Sequence, residues 1–245
     1  MNYELSPIQW RAIIGALYPA DGYARDAEHF MPPGTTLHAT LTSAPEGAIT
    51  IEKIEAMAEG NDLENAACLL AHVPLDSIAY FCTAASFIGG PGSDLKIVKK
   101  LQEVTGVPAT TTSTAMLKAL QVLDINRVAI VAPYPKPVTE RLIDFLAGNS
   151  IEVVQWKTFN CEFASRYKSI TAGDVYRLAT EANHSQAQGI FISCTGMPTI
   201  DVIDPLEQDL RKPVLSANQV TIWHSLLLAG IRNPMKGLGK LYIEF

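Results

Sequence analysis

The chain alternates short, nearly continuous apolar runs with longer stretches whose apolar residues return every three or four positions. Val128-Ala129-Ile130-Val131 is a run of the first kind. Such runs suit strands buried on both faces of a parallel sheet. Val175, Leu178, Ala179 and Ala182 are of the second kind, spaced i, i+3, i+4, i+7 on one helical face. These two periods predict strands at 9–17, 36–41, 77–81, 109–111, 127–132, 151–156, 189–193 and 214–216. They predict helices at 46–71, 93–105, 114–123, 137–148, 172–183, 199–210 and 219–228. Regular strand–helix alternation predicts an α/β fold.

Three segments recur in the same order. Ser77-Ile-Ala-Tyr-Phe-Cys82-Thr83 matches Gly189-Ile-Phe-Ile-Ser-Cys194-Thr195, with the cysteines 112 positions apart. Residues 12–19 match 127–133, with the closing prolines 114 apart, and Pro108 matches Pro213 at a spacing of 105. The repeat predicts two pseudo-symmetric lobes with an active site between them. Each lobe is a roughly four-stranded parallel sheet flanked by helices. Residues 1–118 with 217–245 form the expected first lobe and 119–216 the second, because symmetry returns the segment after Ser216 to the first lobe.

Composition narrows the class. The 245 residues are 48% hydrophobic and 18% charged, a globular profile able to build cores without staples. There are 19 Lys and Arg against 25 Asp and Glu, a net charge of −6, and no basic run exceeds Lys99-Lys100. That excludes a basic nucleic-acid binder. No apolar run approaches the ~18 residues of a membrane span. The run after Arg11, residues 12–17, is shorter than a signal-peptide core of about 7–15 residues. A cytoplasmic location without membrane contact is therefore expected, and assembly into a homo-oligomer is left open.

The 4 cysteines include no Cys-x-x-Cys pair, and the 5 histidines show no ligand spacing, so no metal is expected. Gly89-Gly-Pro-Gly92 lacks the Gly-Lys-Ser/Thr ending of a phosphate loop. It reads as a turn into a helix capped by Ser93 or Asp94. No Gly-x-Gly-x-x-Gly follows the first strand, so no dinucleotide and no other cofactor is implied. Glu140, Arg141 and Asp144 read as a solvated helix face.

The repeated Cys-Thr carries the chemistry. Ligands of open parallel sheets bind outside the carboxyl ends of the strands, where Cys82 and Cys194 are expected. Backbone N–H groups entering a helix there favour an anion and a thiolate. The hydroxyls of Thr83, Ser86 and Thr195 add donors. Two such sites facing each other would hold a small carboxylate and place one sulfur on each face of its α-carbon. One thiolate takes a proton or attacks while the other thiol delivers a proton. The donors then stabilise an enediolate. The plainer alternative is two small buried hydrophobes. Cys68, among Ala66, Ala67 and Leu69, reads as core, and Cys161 as a loop residue without a symmetry mate.

With these motifs the chain resembles the aspartate/glutamate racemase superfamily. Within it, the chain is similar over nearly its whole length to the maleate cis–trans isomerase and arylmalonate decarboxylase branch. The matching pieces are Pro19-Ala-Asp-Gly22, Cys82-Thr-Ala-Ala-Ser-Phe87, Thr111-Thr-Ser-Thr-Ala115, Arg127-Val-Ala-Ile-Val-Ala-Pro-Tyr134, Ser193-Cys-Thr-Gly196 and Gly237-Leu-Gly-Lys-Leu241. The resemblance implies a carboxylate pocket lined by Thr83, Tyr134, Cys194 and Thr195, with Pro19 and Gly196 in the adjoining motifs. Asn160 stands where it could replace a pocket asparagine of the isomerases. The decarboxylases carry glycine at the position of Cys82. The isomerases and racemases keep both cysteines, as here. The isomerases have a Ser/Asn-rich loop where this chain has Ala20-Asp21-Gly22, and Asp21 reads as a turn former.

The resemblance and the residues together imply a cofactor-independent isomerase or racemase of a small carboxylic acid, catalysed by Cys82 and Cys194. The rival enzyme reading is decarboxylation of a disubstituted malonate with Cys194 as proton donor. A non-catalytic small-acid binding protein is the rival from another class.

Overall fold

A computed structural model describes residues 11–21, 25–232 and 234–244, so the first two residues of the expected strand at 9–17, and Gly22 of the Pro19 motif, lie outside them. Strands β1 (Ala12–Pro19), β2 (Thr35–Thr42), β3 (Ser77–Tyr80) and β4 (Ala109–Thr111) form one parallel sheet in the order β2-β1-β3-β4. Strands β5 (Arg127–Ala132), β6 (Glu152–Thr158), β7 (Gly189–Ile192) and β8 (Val214–Ser216) form a second in the order β6-β5-β7-β8. The repeat is exact in order and close in detail. The N–H of Ile78 donates to Pro108 O at 3.0 Å, and that of Ile190 to Pro213 O at 3.0 Å. The central strand β1 is buried throughout, and β5 everywhere but Arg127, which is why both read as unbroken apolar runs.

The helices are α1 (Ile51–Glu59), α2 (Asp62–Leu70), α3 (Thr83–Phe87), α4 (Ser93–Thr105), α5 (Thr112–Val122), α6 (Lys136–Gly148), α7 (Ala172–Ala182), α8 (Ile203–Leu210), α9 (Ala217–Leu228) and α10 (Leu241–Glu244). The single helix expected at 46–71 is two. Thr50 caps α1 by accepting from Lys53 N at 3.2 Å, and the chain leaves the helical region at Gly60 before α2 begins. In α2 the buried face is Leu63, Ala66, Ala67 and Leu70, so Cys68 is exposed rather than core. Neither Ser93 nor Asp94 caps α4. Gly92 holds that position at φ +83°, in the left-handed region that glycine tolerates. Glu140, Arg141 and Asp144 are exposed on α6. No helix among the described residues is long and apolar enough to cross a membrane.

Specific bonds tie α9 to the first sheet and the two lobes to each other. Helix α9 packs on α5 and on β3 and β4, with Ser77 Oγ donating to Ser225 O at 2.9 Å. Asp26, 4% exposed, accepts from Thr199 N at 2.6 Å, Thr199 Oγ1 at 2.9 Å, Ile200 N at 2.8 Å and Asn218 Nδ2 at 2.5 Å. Arg25 donates to Ile170 O at 2.9 Å, and Ile49 N to Glu162 O at 2.8 Å.

Candidate active site

Equivalent backbone bonds bring the two thiols to equivalent strand ends. Phe81 N donates to Leu17 O at 2.8 Å, and Ser193 N to Val131 O at 2.7 Å, so each thiol follows the last bonded residue of its strand. The lobes meet there: Thr195 Oγ1 donates across to Phe81 O at 3.3 Å. Between them lies a cavity of about 70 Å³ whose walls include Pro19, Phe81, Tyr134, Cys194, Thr195 and Gly196. Cys82 is not part of that wall. It is partly exposed and follows lining residue Phe81, two positions before lining residue Ala84.

The two thiols differ in backbone. Cys82 is extended and caps α3. Cys194 has φ +83°, which costs a residue with a Cβ roughly 1–2 kcal/mol. No helix follows Cys194 directly. Residues 195–197 turn instead, with Met197 N donating to Cys194 O at 3.2 Å, and α8 begins only at Ile203. The expectation that both thiols enter helices therefore holds only for Cys82.

The direction expected for thiol acidity is reversed. Burial pushes the Cys82 thiol up to about 11, against the opposing pull of the Ala85 and Ala84 N–H groups and of the Tyr80 hydroxyl. Burial pushes Cys194 up to about 12, although Gly196 N, 3.4 Å from Sγ, and the Tyr134 hydroxyl both favour its thiolate. Charge on Cys82 raises Cys194 further. Desolvation outweighs the local N–H groups at both sulfurs.

Tyr134, 3% exposed, accepts from Ser193 Oγ at 3.2 Å and packs edge-on against Phe87. Thr83 is buried with its hydroxyl close to that of Tyr134. Ser86 lies outside the cavity wall, its hydroxyl donating to Cys82 O and Thr83 O at 2.9 Å and engaged with Ser113 Oγ at 2.7 Å. Asn160 is exposed and away from the cavity, where its Oδ1 accepts from Lys136 N at 3.2 Å at the start of α6. Lys53 and Tyr167 line the cavity without a sequence signal, and Asp21, read from the sequence as a turn former, is there the partner of Lys53. Among the described residues no group of three or more His, Cys, Asp or Glu side chains is placed to hold a metal ion.

The sequence profile of the family described as arylmalonate decarboxylase matches residues 41–242. An arylmalonate decarboxylase of Bordetella bronchiseptica is 34% identical over 166 residues, 66% of this chain and 69% of that protein. A maleate isomerase of Nocardia farcinica is 26% identical over 246 residues, 93% of this chain and 94% of that protein. The liganded crystal structure of an arylmalonate decarboxylase variant with a Gly-to-Cys and a Cys-to-Ser change superposes with a TM-score of 0.87. It is 27% identical and covers 96% of this chain and 100% of that one.

Proposed function

This chain belongs to the arylmalonate decarboxylase family, and from that premise we propose that it is a cofactor-independent isomerase or racemase of a small carboxylic acid, similar to maleate cis–trans isomerase. One observation carries the reading. Two thiols from equivalent strand ends, Cys82 and Cys194, come within electrostatic reach of each other beside one cavity. A decarboxylase needs one proton donor. Chemistry on two faces of one carbon needs two groups that each hold a proton and release it.

For a cis alkene diacid, one thiolate adds to the double bond and the electron pair moves onto the adjacent carboxylate as an enediolate. Rotation about the new single bond follows, and the pair then returns to expel the sulfur and leave the trans alkene. The second thiol hydrogen-bonds the enediolate on the other face, or protonates its carbon and takes that proton back before the sulfur is expelled. For a chiral acid, one thiolate removes the α-proton and the opposite thiol returns one. Both schemes use one thiolate and one thiol, and the mutual repulsion that raises Cys194 disfavours the doubly charged pair. The Tyr134 and Thr83 hydroxyls and the Gly196 N–H supply donors for the carboxylate. The cavity is small, about 70 Å³, which suits a compact acid better than an aryl one.

Decarboxylation of a malonate is a second reading, favoured by the 34% identical relative and by Cys194 resting as a thiol, the form a proton donor needs. Proton NMR of the purified protein in D₂O, with maleate, aspartate and phenylmalonate supplied separately, decides between them. Fumarate formation from maleate, or loss of the α-proton signal of aspartate by deuteration, is expected. Release of carbon dioxide from phenylmalonate alone assigns the second reading. Turnover of none of the three overturns both in favour of a binding protein.

A further inference from the structure

Lys53 and Asp21 meet inside the wall of the thiol cavity. Among the described residues that line it, Lys53 is the only cation and Asp21 the only carboxylate. Lys53 stands in the first turn of α1, its side chain 9% exposed, with Nζ 2.8 Å from Asp21 Oδ2 and 3.4 Å from Gly47 O. Two of three ammonium donors are thereby engaged, and one remains. Ile49, Ile54 and Met57 add apolar surface to the same wall, which strengthens a charge–charge contact made there.

A long cation held in a site for anionic acids, with its charge cancelled by a side-chain carboxylate, has the form of an occupied anion subsite. We infer that Lys53 is the specificity residue for a second, distal carboxylate of the substrate, and that Asp21 occupies its position until the substrate arrives. The inference rests on reading this cavity as the acid-binding site. A diacid exchanges one carboxylate for another at Nζ, so that the ammonium stays paired throughout. A monoacid leaves Asp21 in place and gains nothing from Lys53. Asp21 thus opposes diacid binding while it spares Lys53 an unpaired charge in the empty site.

Calorimetric titration with succinate and butyrate tests this, because both have four carbons and neither offers an alkene for turnover. The unchanged protein should bind succinate more tightly than butyrate. Lys53→Met keeps the apolar stem and should weaken succinate about 10- to 100-fold, the range of one charge-assisted hydrogen bond, with butyrate unaffected. Asp21→Asn removes the competitor and should tighten succinate several-fold. The opposite signs separate the effect from general damage, and Asp21→Asn carries the test if Lys53→Met does not fold. The inference is overturned if Lys53→Met weakens both acids alike or neither, if Asp21→Asn weakens succinate, or if the unchanged protein does not prefer succinate. Turnover by the unchanged protein is scored separately: its absence with the binding pattern intact removes only the isomerase reading.

Discussion

Alkylation by iodoacetamide as a function of pH reads the state of the site thiols directly. Burial lifts Cys82 from an ordinary thiol value of 9.0 to about 11, and Cys194 to about 12. At pH 7 the thiolate fractions then fall about 100-fold and about 1,000-fold below that of an ordinary thiol. A more basic thiolate is more nucleophilic, which returns about 10-fold and about 20-fold at a Brønsted slope of 0.4–0.5. Net labelling should be about 10-fold slower at Cys82, and about 50-fold slower at Cys194, than at an ordinary exposed thiol. Cys68, exposed on α2, serves as the internal reference in the same mass-mapped digest. Both site rates should climb about tenfold per pH unit from 7 to 10 without a plateau. A plateau between pH 7 and 9, or faster labelling than Cys68 at pH 7, would refute the reasoning: the N–H groups would then outweigh burial and a thiolate would be resident. The same shifts set a stability trend. Stability held by the neutral thiols is fully present below pH 9 and is lost as pH rises through 11 and 12. The loss is at most about 3 kcal/mol for Cys82 and about 4 kcal/mol for Cys194, and denaturant titrations of a double alanine variant should lack it.

Cys82→Ser and Cys194→Ser should each lower isomerase or racemase turnover by about 10²–10⁴, and the double variant little further, because the pair acts as a unit. Near-normal turnover in both single variants would remove the two-thiol mechanism, whereas a decarboxylase should tolerate Cys82→Gly and not Cys194→Ser. Asp26→Ala removes the acceptor of four donors where the lobes join, leaves the Thr199 and Ile200 N–H groups without a partner, and should cost about 3–5 kcal/mol, read as a melting temperature lower by about 10 °C. A loss under about 1 kcal/mol would mean that water replaces the carboxylate freely. Since Cys194 sits at φ +83°, Cys194→Gly should be about 1 kcal/mol more stable than Cys194→Ala in urea unfolding, although both are inactive. Equal stability would show that the backbone relaxes when the thiol is removed.

Much of the architecture was written in local pattern. A strand buried on both faces must be apolar along its length, so β1, β5 and β7 announce themselves as runs, and helices such as α7 as a period. The repeated Cys-Thr located both thiols at strand ends, because equivalent positions of a repeat occupy equivalent places in two sheets of the same strand order. Helix α3 escaped notice because five residues are too few to display a period. Cys68 was misread as core because its neighbours are apolar on both sides. Which of them faces inward depends on where α2 docks, and that buries Ala66 and Ala67 but leaves Leu69 65% exposed.

The sequence by itself therefore determined the elements, their order, the duplication and the pair of residues with nucleophilic chemistry, all of which follow from spacing along the chain. Only the tertiary structure decided the electrostatics. The acidity of Cys82 and Cys194 depends on how much protein closes over each sulfur, a property of the packed lobes and not of the flanking residues. The same holds for Lys53 and Asp21. They lie 32 positions apart in the chain, and a lysine among the glutamates of a helix reads as solvated face. They become a half-buried ion pair at the cavity because α1 docks beside the turn that leaves β1. Periodicity tells which side of a helix is apolar, but the environment of a charge is set by what the rest of the chain brings against it.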